Sequence, residues 1–440
     1  MIAANPLTHL WPLTTSRNSE DVLSIDDVPL TDIAATIGTP AYIYDVSTIR
    51  AAAGQFRDGF ASHYPKSRVV FAGKALLNAA LVKILLEERL GLDVVSGGEL
   101  FAGLHAGMPA AEMSFHGNNK SRQELREALE AGVGKIVIDN DDEINSLIAL
   151  TEGRAEPVRV MIRLNPGVDV HTHKKISTGV ADSKFGLPIS TGQASKAVAK
   201  IASAPNLELL GYHAHVGSQL FDAESIVEAI AEMLAFAADM KHQHGIELQH
   251  LSPGGGFGIS YLDQDQPLGI DDWMRLIAGA VISGCEMHGL DLPTVTIEPG
   301  RSIVGPAGVA LYEVGARKRL PNIRTYVSVD GGMADNIRPT LYDAVYTADL
   351  VASPAERERE IVTIAGKYCE SGDLLIENIE LPTLEPGDLL AIPAAGAYCY
   401  AMSSNYNYAQ RPPIVFIEHG KATVVRRRET YDDLVRLDVT

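Results

Sequence analysis

Between residues 68 and 297 the sequence alternates short β-branched or aromatic runs with helix-like runs, and it does so eight times. The strand-like runs are 68–72, 92–95, 113–116, 135–138, 158–164, 207–216, 250–252 and 294–297. Helical patterns fill 75–90, 99–106, 121–131, 142–150, 193–202, 223–244 and 271–285, and Ser121 followed by Glu124 is a capping-box signature. Strands alternating with helices imply parallel βαβ units. Eight strands with helices between them predict a closed (β/α)8 barrel, a TIM barrel. An open doubly wound sheet would place a phosphate-binding glycine fingerprint in its first turn. Here that turn reads Ala72-Gly73-Lys74. The 440 residues exceed one ordinary hydrophobic core, so a second domain is expected. After residue 301 the long helices disappear, and 309–314, 325–329, 389–392, 413–417 and 422–427 read as strands between Gly, Pro and Asp/Asn turns. We therefore expect an α/β barrel over 47–305 and a C-terminal β-rich, Greek-key-like barrel over 306–440. Residues 1–46 contribute to the β domain through a strand at 42–44, after a short helix over 28–37.

The formal net charge of −19 disfavours nucleic-acid and anionic-membrane partners. Three cysteines (Cys285, Cys369, Cys399) do not make a disulfide scaffold and fit a reducing compartment. With no secretory signal and no membrane-spanning run, the expectation is a cytoplasmic protein.

In a barrel of this kind chemistry gathers at the C-terminal strand ends. Those ends carry Lys74, Ser96 to Glu99, His116 to Asn119, Arg163 to Gly167, His215 to Ser218, Gly254 to Gly258 and Glu298 to Arg301. Lys74 follows Val69-Val70-Phe71-Ala72-Gly73, so it reads as a lysine at the buried end of a core strand, costly unless used. The Gly254-Gly255-Gly256-Phe257-Gly258 run is a tight turn or a nest of backbone N–H groups for a phosphate. Its place after strand seven favours the nest. His213 and His215 read as structural histidines, a metal pair, or an imidazole stacked on a flat cofactor. His171 and His173 read as solvated. Glu298 reads either as an ion-pair partner of Arg301 or as the carboxylate facing a pyridine nitrogen. A lysine able to attack a carbonyl, a phosphate nest, a stacking imidazole and a carboxylate point together to pyridoxal phosphate, with no metal.

The runs Phe71 to Ala75, His213 to Gln219, Gly254 to Gly258 and Glu298 to Arg301 resemble the pyridoxal-phosphate decarboxylases of the alanine racemase-like barrel type. Val95 to Leu100, His116 to Lys120, Ser183 to Gly186, Asp330 to Pro339, Cys369 to Asp373 and Gly396 to Tyr398 narrow the resemblance to the diaminopimelate decarboxylase family. Phe71 and Gly73 stand where many members carry Tyr and a small or polar residue. The resemblance implies decarboxylation of meso-diaminopimelate to L-lysine, the last step of lysine biosynthesis, by a homodimer with shared active sites. It implies that Lys74 takes the cofactor aldehyde, His215 stacks on the ring and Glu298 meets the ring nitrogen. Ser218, Gly255, Gly256 and the backbone of Glu298, Pro299, Gly300 and Arg301 would hold the phosphate. Arg301, Arg338 and Tyr342 would grip the distal carboxylate, Glu370 would take the distal amine, and Tyr398 would touch cofactor and substrate. Cys369 would be the proton donor, supplied with Glu370 by the partner subunit. On residue chemistry alone Cys369 is an ordinary buried thiol, and Arg338 and Tyr342 are surface residues. The same-fold alternative is a decarboxylase of ornithine, arginine or a carrier-bound substrate.

Overall fold

A computed structural model describes residues 10–168, 183–352 and 357–439. The chain divides into two compact units. One is Ala52–Gly258 with Pro267–Gly300, and the other is Met1–Ala51, Ile259–Gln266 and Arg301–Thr440. Among the described residues no helix is long and apolar enough to cross a membrane.

The first unit is the expected barrel. Its strands are β1 (Ser67–Ala72), β2 (Gly91–Val94), β3 (Met113–Phe115), β4 (Lys135–Ile138), β5 (Val158–Asn165), β6 (Leu207–His213), β7 (His250–Gly254) and β8 (Thr294–Ile297). Each pairs in parallel with the next, and β8 returns to β1 through Val295–Ser67, Thr296–Arg68 and Ile297–Val69. The apolar runs predicted from sequence are buried: Val69, Val70, Phe71, Ile136, Val137, Ile138, Val295 and Ile297 are all at most 7% exposed.

Side-chain caps decide where the helices begin. Ser121 and Glu124 form the capping box ahead of Arg122–Ala131, and Gly132 closes that helix with φ +74°. Asn140 caps Asp141–Leu150 by accepting from the Glu143 N–H. The first helix starts later than its pattern suggests, at Ala79, because the Asn78 side chain accepts from Leu81 N–H and fixes the start there. Gly73–Ala75 therefore forms a short 3-10 turn outside the helix. Likewise β6 ends at His213, with a bulge between Leu209 and Gly211, so His215 belongs to the following loop.

Beneath the rim Lys120 and Glu143 form an ion pair at 2.8 Å with side chains 1% and 3% exposed. The Lys120 ammonium also donates to the Gly117 and Val137 carbonyls, so its burial is compensated.

The second unit is built on β9 (Gly308–Leu320), a 13-residue strand. Its C-terminal half pairs antiparallel with β10 (Arg324–Val329). Its N-terminal half pairs antiparallel with Ala41–Asp45 and, on its other edge, with β13 (Leu389–Ile392). β11 (Arg359–Ala365) and β12 (Leu374–Pro382) extend the sheet beyond β10. β14 (Ile414–Glu418) and β15 (Lys421–Arg426) extend it beyond Ala41–Asp45. The strand expected at 42–44 thus joins this sheet. The core beneath it holds Leu23, Ile25, Leu30, Ile33, Ile43, Val309, Leu311, Val415 and Ile417.

Removing one member of the Lys120–Glu143 pair strands a buried charge. Lys120→Met is expected to cost about 3–5 kcal/mol. The Lys120→Met/Glu143→Leu double variant should recover most of that loss. Urea unfolding of the three proteins measures both numbers, and a double variant as weak as the single one contradicts the account.

Candidate active site

At the C-terminal end of the barrel, residues at the ends of the first and last strands lie against one another. The Ala72 N–H donates to the Pro299 carbonyl at 3.1 Å, which joins the end of β1 to the residue after Glu298. A Cβ on Gly300 would stand 3.0 Å from the Ala72 Cβ and 3.1 Å from the Ala75 Cβ. Only glycine lets this turn lie against the two alanines without displacing them. Lys74 sits between those alanines. Gly73 and Ala75 are buried, but the Lys74 side chain is exposed. This corrects the reading of Lys74 as a lysine buried at a strand end: the 3-10 turn lifts it out of the core onto the rim.

Glu298 is pinned at both oxygens. Oε1 accepts from the Ser252 hydroxyl at 2.6 Å, and Oε2 lies 3.1 Å from His213 Nε2. His116 Nε2 stands 4.0 Å from Oε1 and 3.2 Å from Asp93 Oδ1, and its ring packs edge-on to His213 with centroids 4.8 Å apart. Burial opposes ionisation of Glu298, but His213, His116 and the Ser252 hydroxyl outweigh it and hold the carboxyl well below its ordinary range. Asp93 moves the other way. Burial, and then the Glu298 charge, push it well above the usual carboxylate range. Of the two acids, Glu298 carries the charge and Asp93 the proton.

The histidines beside them are neutral. Burial draws His116 down to about 4 and lowers His213 as well. His215 is held well below its ordinary value by burial and then by the Lys74 and Arg163 charges. His215 Nδ1 accepts from the Gly255 N–H at 3.2 Å, which places its proton on Nε2. His213 and His215 therefore do not act as a pair: one faces Glu298 and the other faces the glycine loop. His116, His213 and Glu298 do lie with ligand atoms within 4.8 Å of one another. His171 and His173 fall outside the described residues.

The glycine loop packs backbone on backbone. A Cβ on Gly255 would meet the Glu298 carbonyl at 2.2 Å, and one on Gly256 (φ +102°) would meet the Gly217 carbonyl at 2.3 Å. Among the described residues the Gly256 N–H has no acceptor. Ser218 is half-buried just before this loop's partner Leu220, whose N–H donates to the Gly256 carbonyl. An open N–H in a glycine cradle, a neutral imidazole and an ionised carboxylate make a donor set that fits the phosphate, ring and ring nitrogen of pyridoxal phosphate.

In the second unit the predicted arginines come together on tyrosines. Arg301 lies with Cζ 4.8 Å from the Tyr398 ring centroid and donates to the Tyr261 hydroxyl at 2.5 Å. Arg338 lies over the other members of the group, 4.7 Å from the Tyr261 ring and 5.4 Å from the Tyr346 ring. Arg301 is 8% and Arg338 6% exposed, so the surface reading of Arg338 is corrected. Tyr398 holds φ +62°, a costly left-handed conformation for an aromatic residue. Tyr342 ends the short helix Arg338–Tyr342 and is half-buried. Cys369 and Glu370 occupy an exposed turn. The Cys369 N–H donates to Asn407 Oδ1 at 2.9 Å, and the Tyr406 hydroxyl donates to the Cys369 carbonyl at 3.3 Å. Cys369 is therefore not an ordinary buried thiol.

Sequence reasoning passed over Asp93, Ser252, Tyr261, Tyr346 and Cys399 as site residues. Asp93 had a visible signal, a charge in the middle of Leu92-Asp93-Val94-Val95. The tyrosines had none, since their partners lie far along the chain.

The buried imidazoles give the protein an acid limit. His116 takes a proton in the unfolded chain near pH 6.5 but in the folded protein only near 4. Its contribution to stability is complete above about pH 6.5 and is lost as pH falls toward 4. His116→Gln should remove up to about 3 kcal/mol of that acid-side loss. Urea stability of both proteins at pH 7 and pH 4.5 measures it, and parallel losses would exclude His116 as a source.

A family model described as the pyridoxal-dependent decarboxylase, pyridoxal binding domain matches residues 47–305. The chain is 45% identical to diaminopimelate decarboxylase of Bacillus subtilis over 97% of each chain. The structure of diaminopimelate decarboxylase from M. jannaschii superposes with a TM-score of 0.91 at 32% identity, covering 97% of this chain and 98% of that one. The Helicobacter pylori diaminopimelate decarboxylase, complexed with L-lysine, gives 0.84 at 32% identity over 93% and 98%. A match of this extent in sequence and in fold places the chain in the diaminopimelate decarboxylase family of pyridoxal-dependent decarboxylases.

Proposed function

We infer that the chain decarboxylates meso-diaminopimelate to L-lysine and carbon dioxide, the reaction of its family, as a homodimer. The observation that carries the substrate reading is Arg338. It is buried, and among the described residues it has no carboxylate partner. A buried cation without an anion of its own is suited to accept one from a ligand. Diaminopimelate brings such an anion at its distal amino-acid head, whereas ornithine brings only an amine.

The residues then divide the work. Lys74, exposed on the rim, offers its amine to the cofactor aldehyde. The Gly255–Gly256 loop, Ser218, Pro299, Gly300 and the Arg301 backbone hold the phosphate. His215 packs on the ring through a neutral imidazole. Ionised Glu298 would accept a hydrogen bond from the protonated ring nitrogen and so hold that proton in place. Pyridoxal phosphate, when bound, supplies an electron-poor ring that accepts the pair left by departing carbon dioxide. Arg301, Arg338 and Tyr342 orient the distal carboxylate, Glu370 takes the distal amine, and Tyr398 closes on the substrate. Cys369 delivers one proton to the carbon that lost carbon dioxide. Its exposure, with that of Glu370, supports service to the partner subunit's site.

Carbon dioxide release measured across diaminopimelate, ornithine, lysine and arginine tests the substrate. Diaminopimelate should exceed the others by at least about a hundredfold. Preference for ornithine or arginine establishes the same-fold alternative instead. Lys74→Ala should show no cofactor mass after borohydride reduction, and retained mass places the attachment elsewhere. Lys74→Ala and Cys369→Ala should each be inactive alone. Mixing them under subunit exchange should restore about a quarter of wild-type activity, since half the dimers then hold one complete site of two. No recovery on mixing overturns the sharing of Cys369 between subunits.

A further inference from the structure

Tyr261, Tyr346 and Cys399 are drawn on by none of the roles above, yet they surround the two arginines. All three are buried: Tyr261 is 8%, Tyr346 2% and Cys399 0% exposed. With Tyr398 they make an alternating column of rings and guanidinium groups: Tyr398, Arg301, Tyr261, Arg338, Tyr346. The successive ring-to-Cζ distances are 4.8, 5.9, 4.7 and 5.4 Å. Tyr261 and Tyr346 pack edge to face, with centroids 5.4 Å apart and planes at 84°.

The hydrogen bonds along the column run in one direction. A guanidinium only donates. Arg338 Nη1 therefore gives its hydrogen to the Tyr346 oxygen. The Tyr346 hydroxyl hydrogen is then free to turn to Cys399 Sγ, 3.4 Å away. The Cys399 thiol passes its own hydrogen to the Ala397 carbonyl at 3.6 Å. Each of these three donors has an acceptor, and the relay ends on backbone.

We propose that Tyr261, Tyr346 and Cys399 are positioning residues that lock Arg301 and Arg338 in place for a carboxylate, and so set the preference for a substrate bearing a second amino-acid head. The proposal rests on the substrate reading above. An arginine side chain that must be ordered on binding gives up affinity to lost rotamer freedom. Aromatic faces and the Tyr261 and Tyr346 hydroxyls arrest Arg301 and Arg338 beforehand, and among the described residues the remaining N–H groups of Arg338 stay available for bidentate contact.

The test uses the holoenzyme and two ligands that differ by the carboxyl alone. L-lysine retains it, and cadaverine is lysine without it. Calorimetric titration reads the affinity of each for wild type, Tyr346→Phe, Cys399→Ala and Cys399→Ser. Tyr346→Phe keeps the ring and removes the acceptor for Arg338. It should weaken L-lysine roughly tenfold and leave cadaverine within about twofold. The same factor should appear in KM for diaminopimelate rather than in kcat. Cys399→Ala should follow in the same direction with a smaller factor, and Cys399→Ser, which still accepts and donates, should restore wild-type affinity. Equal weakening of both ligands marks a general packing defect and overturns the proposal. So does wild-type discrimination that survives Tyr346→Phe and Cys399→Ala. If wild type itself binds lysine and cadaverine alike, the substrate reading falls first and the proposal with it.

Discussion

Closure of the barrel between β8 and β1 is the constraint on which the placement of Lys74, Glu298 and the glycine loop depends. Three residue pairs, Val295–Ser67, Thr296–Arg68 and Ile297–Val69, carry the strand pairing, and the Ala72 N–H to Pro299 carbonyl bond continues it past the strand ends. Without that register Lys74 and Glu298, at opposite ends of the barrel sequence, have no fixed relation. With it, Gly300 is pressed against Ala72 and Ala75, the residues that bracket Lys74. The same closure brings Gly255 under the Glu298 carbonyl, so the loops after the last two strands are shaped by each other. Side chains larger than hydrogen at these positions would push apart the backbones that define the rim.

Electrostatic asymmetry follows from which neighbours each acid meets. Asp93 and Glu298 are both removed from water, and the charge of Glu298 opposes a second charge on Asp93. Glu298 has two short donors, Ser252 and His213. Asp93 Oδ1 lies 3.2 Å from His116 Nε2 and among the described residues has no hydrogen-bond partner. The charge therefore settles on Glu298. The neutral state of His116 and His213 is part of the same arrangement, because burial makes an imidazolium there costlier than the field of one carboxylate can offset. A barrel floor with one fixed negative charge and neutral imidazoles suits a ring that must keep a proton on its nitrogen.

The barrel was legible because its strands are buried on both faces and read as apolar runs, and because glycine and polar residues cluster after each one. The strand at 42–44 was legible by its Tyr and Ile content. β11 and β12 were not, since the polar pair Arg359-Glu360 opens the first and the exposed pair Glu377-Asn378 interrupts the second, and both read as loop. Helix starts were legible where a cap was noticed, as at Ser121, and misplaced where it was not, as at Asn78. For Lys74 the sequence misled on burial. Small neighbours and a strand end implied burial, while the 3-10 turn exposes it. Arg338 erred in the opposite direction, because its cover comes from Tyr261 and Tyr346, which no local pattern connects to it.

The β-rich unit joins its motifs by a device as tight as the barrel closure. The turn bearing Cys369 and Glu370 and the turn leading to Arg338 are bound together by Asp373. Its Oδ1 accepts from Met333 N–H at 2.6 Å, its Oδ2 from Tyr368 N–H at 2.8 Å, and its carbonyl from Gly366 N–H at 2.9 Å. A Cβ on Gly332 or Gly366 would fall within 2.5 Å or 2.1 Å of the Asp373 carboxylate. Thr340, two residues beyond Arg338, adds a hydroxyl bond to the Gly372 carbonyl at 2.9 Å. Cys369 and Glu370 are thus exposed without being loosely held. The group proposed to reach a partner subunit and the group proposed to grip the chain's own substrate share one braced piece of backbone. The two roles proposed above for this backbone therefore lean on the same buried carboxylate, although Asp373 itself is assigned to neither.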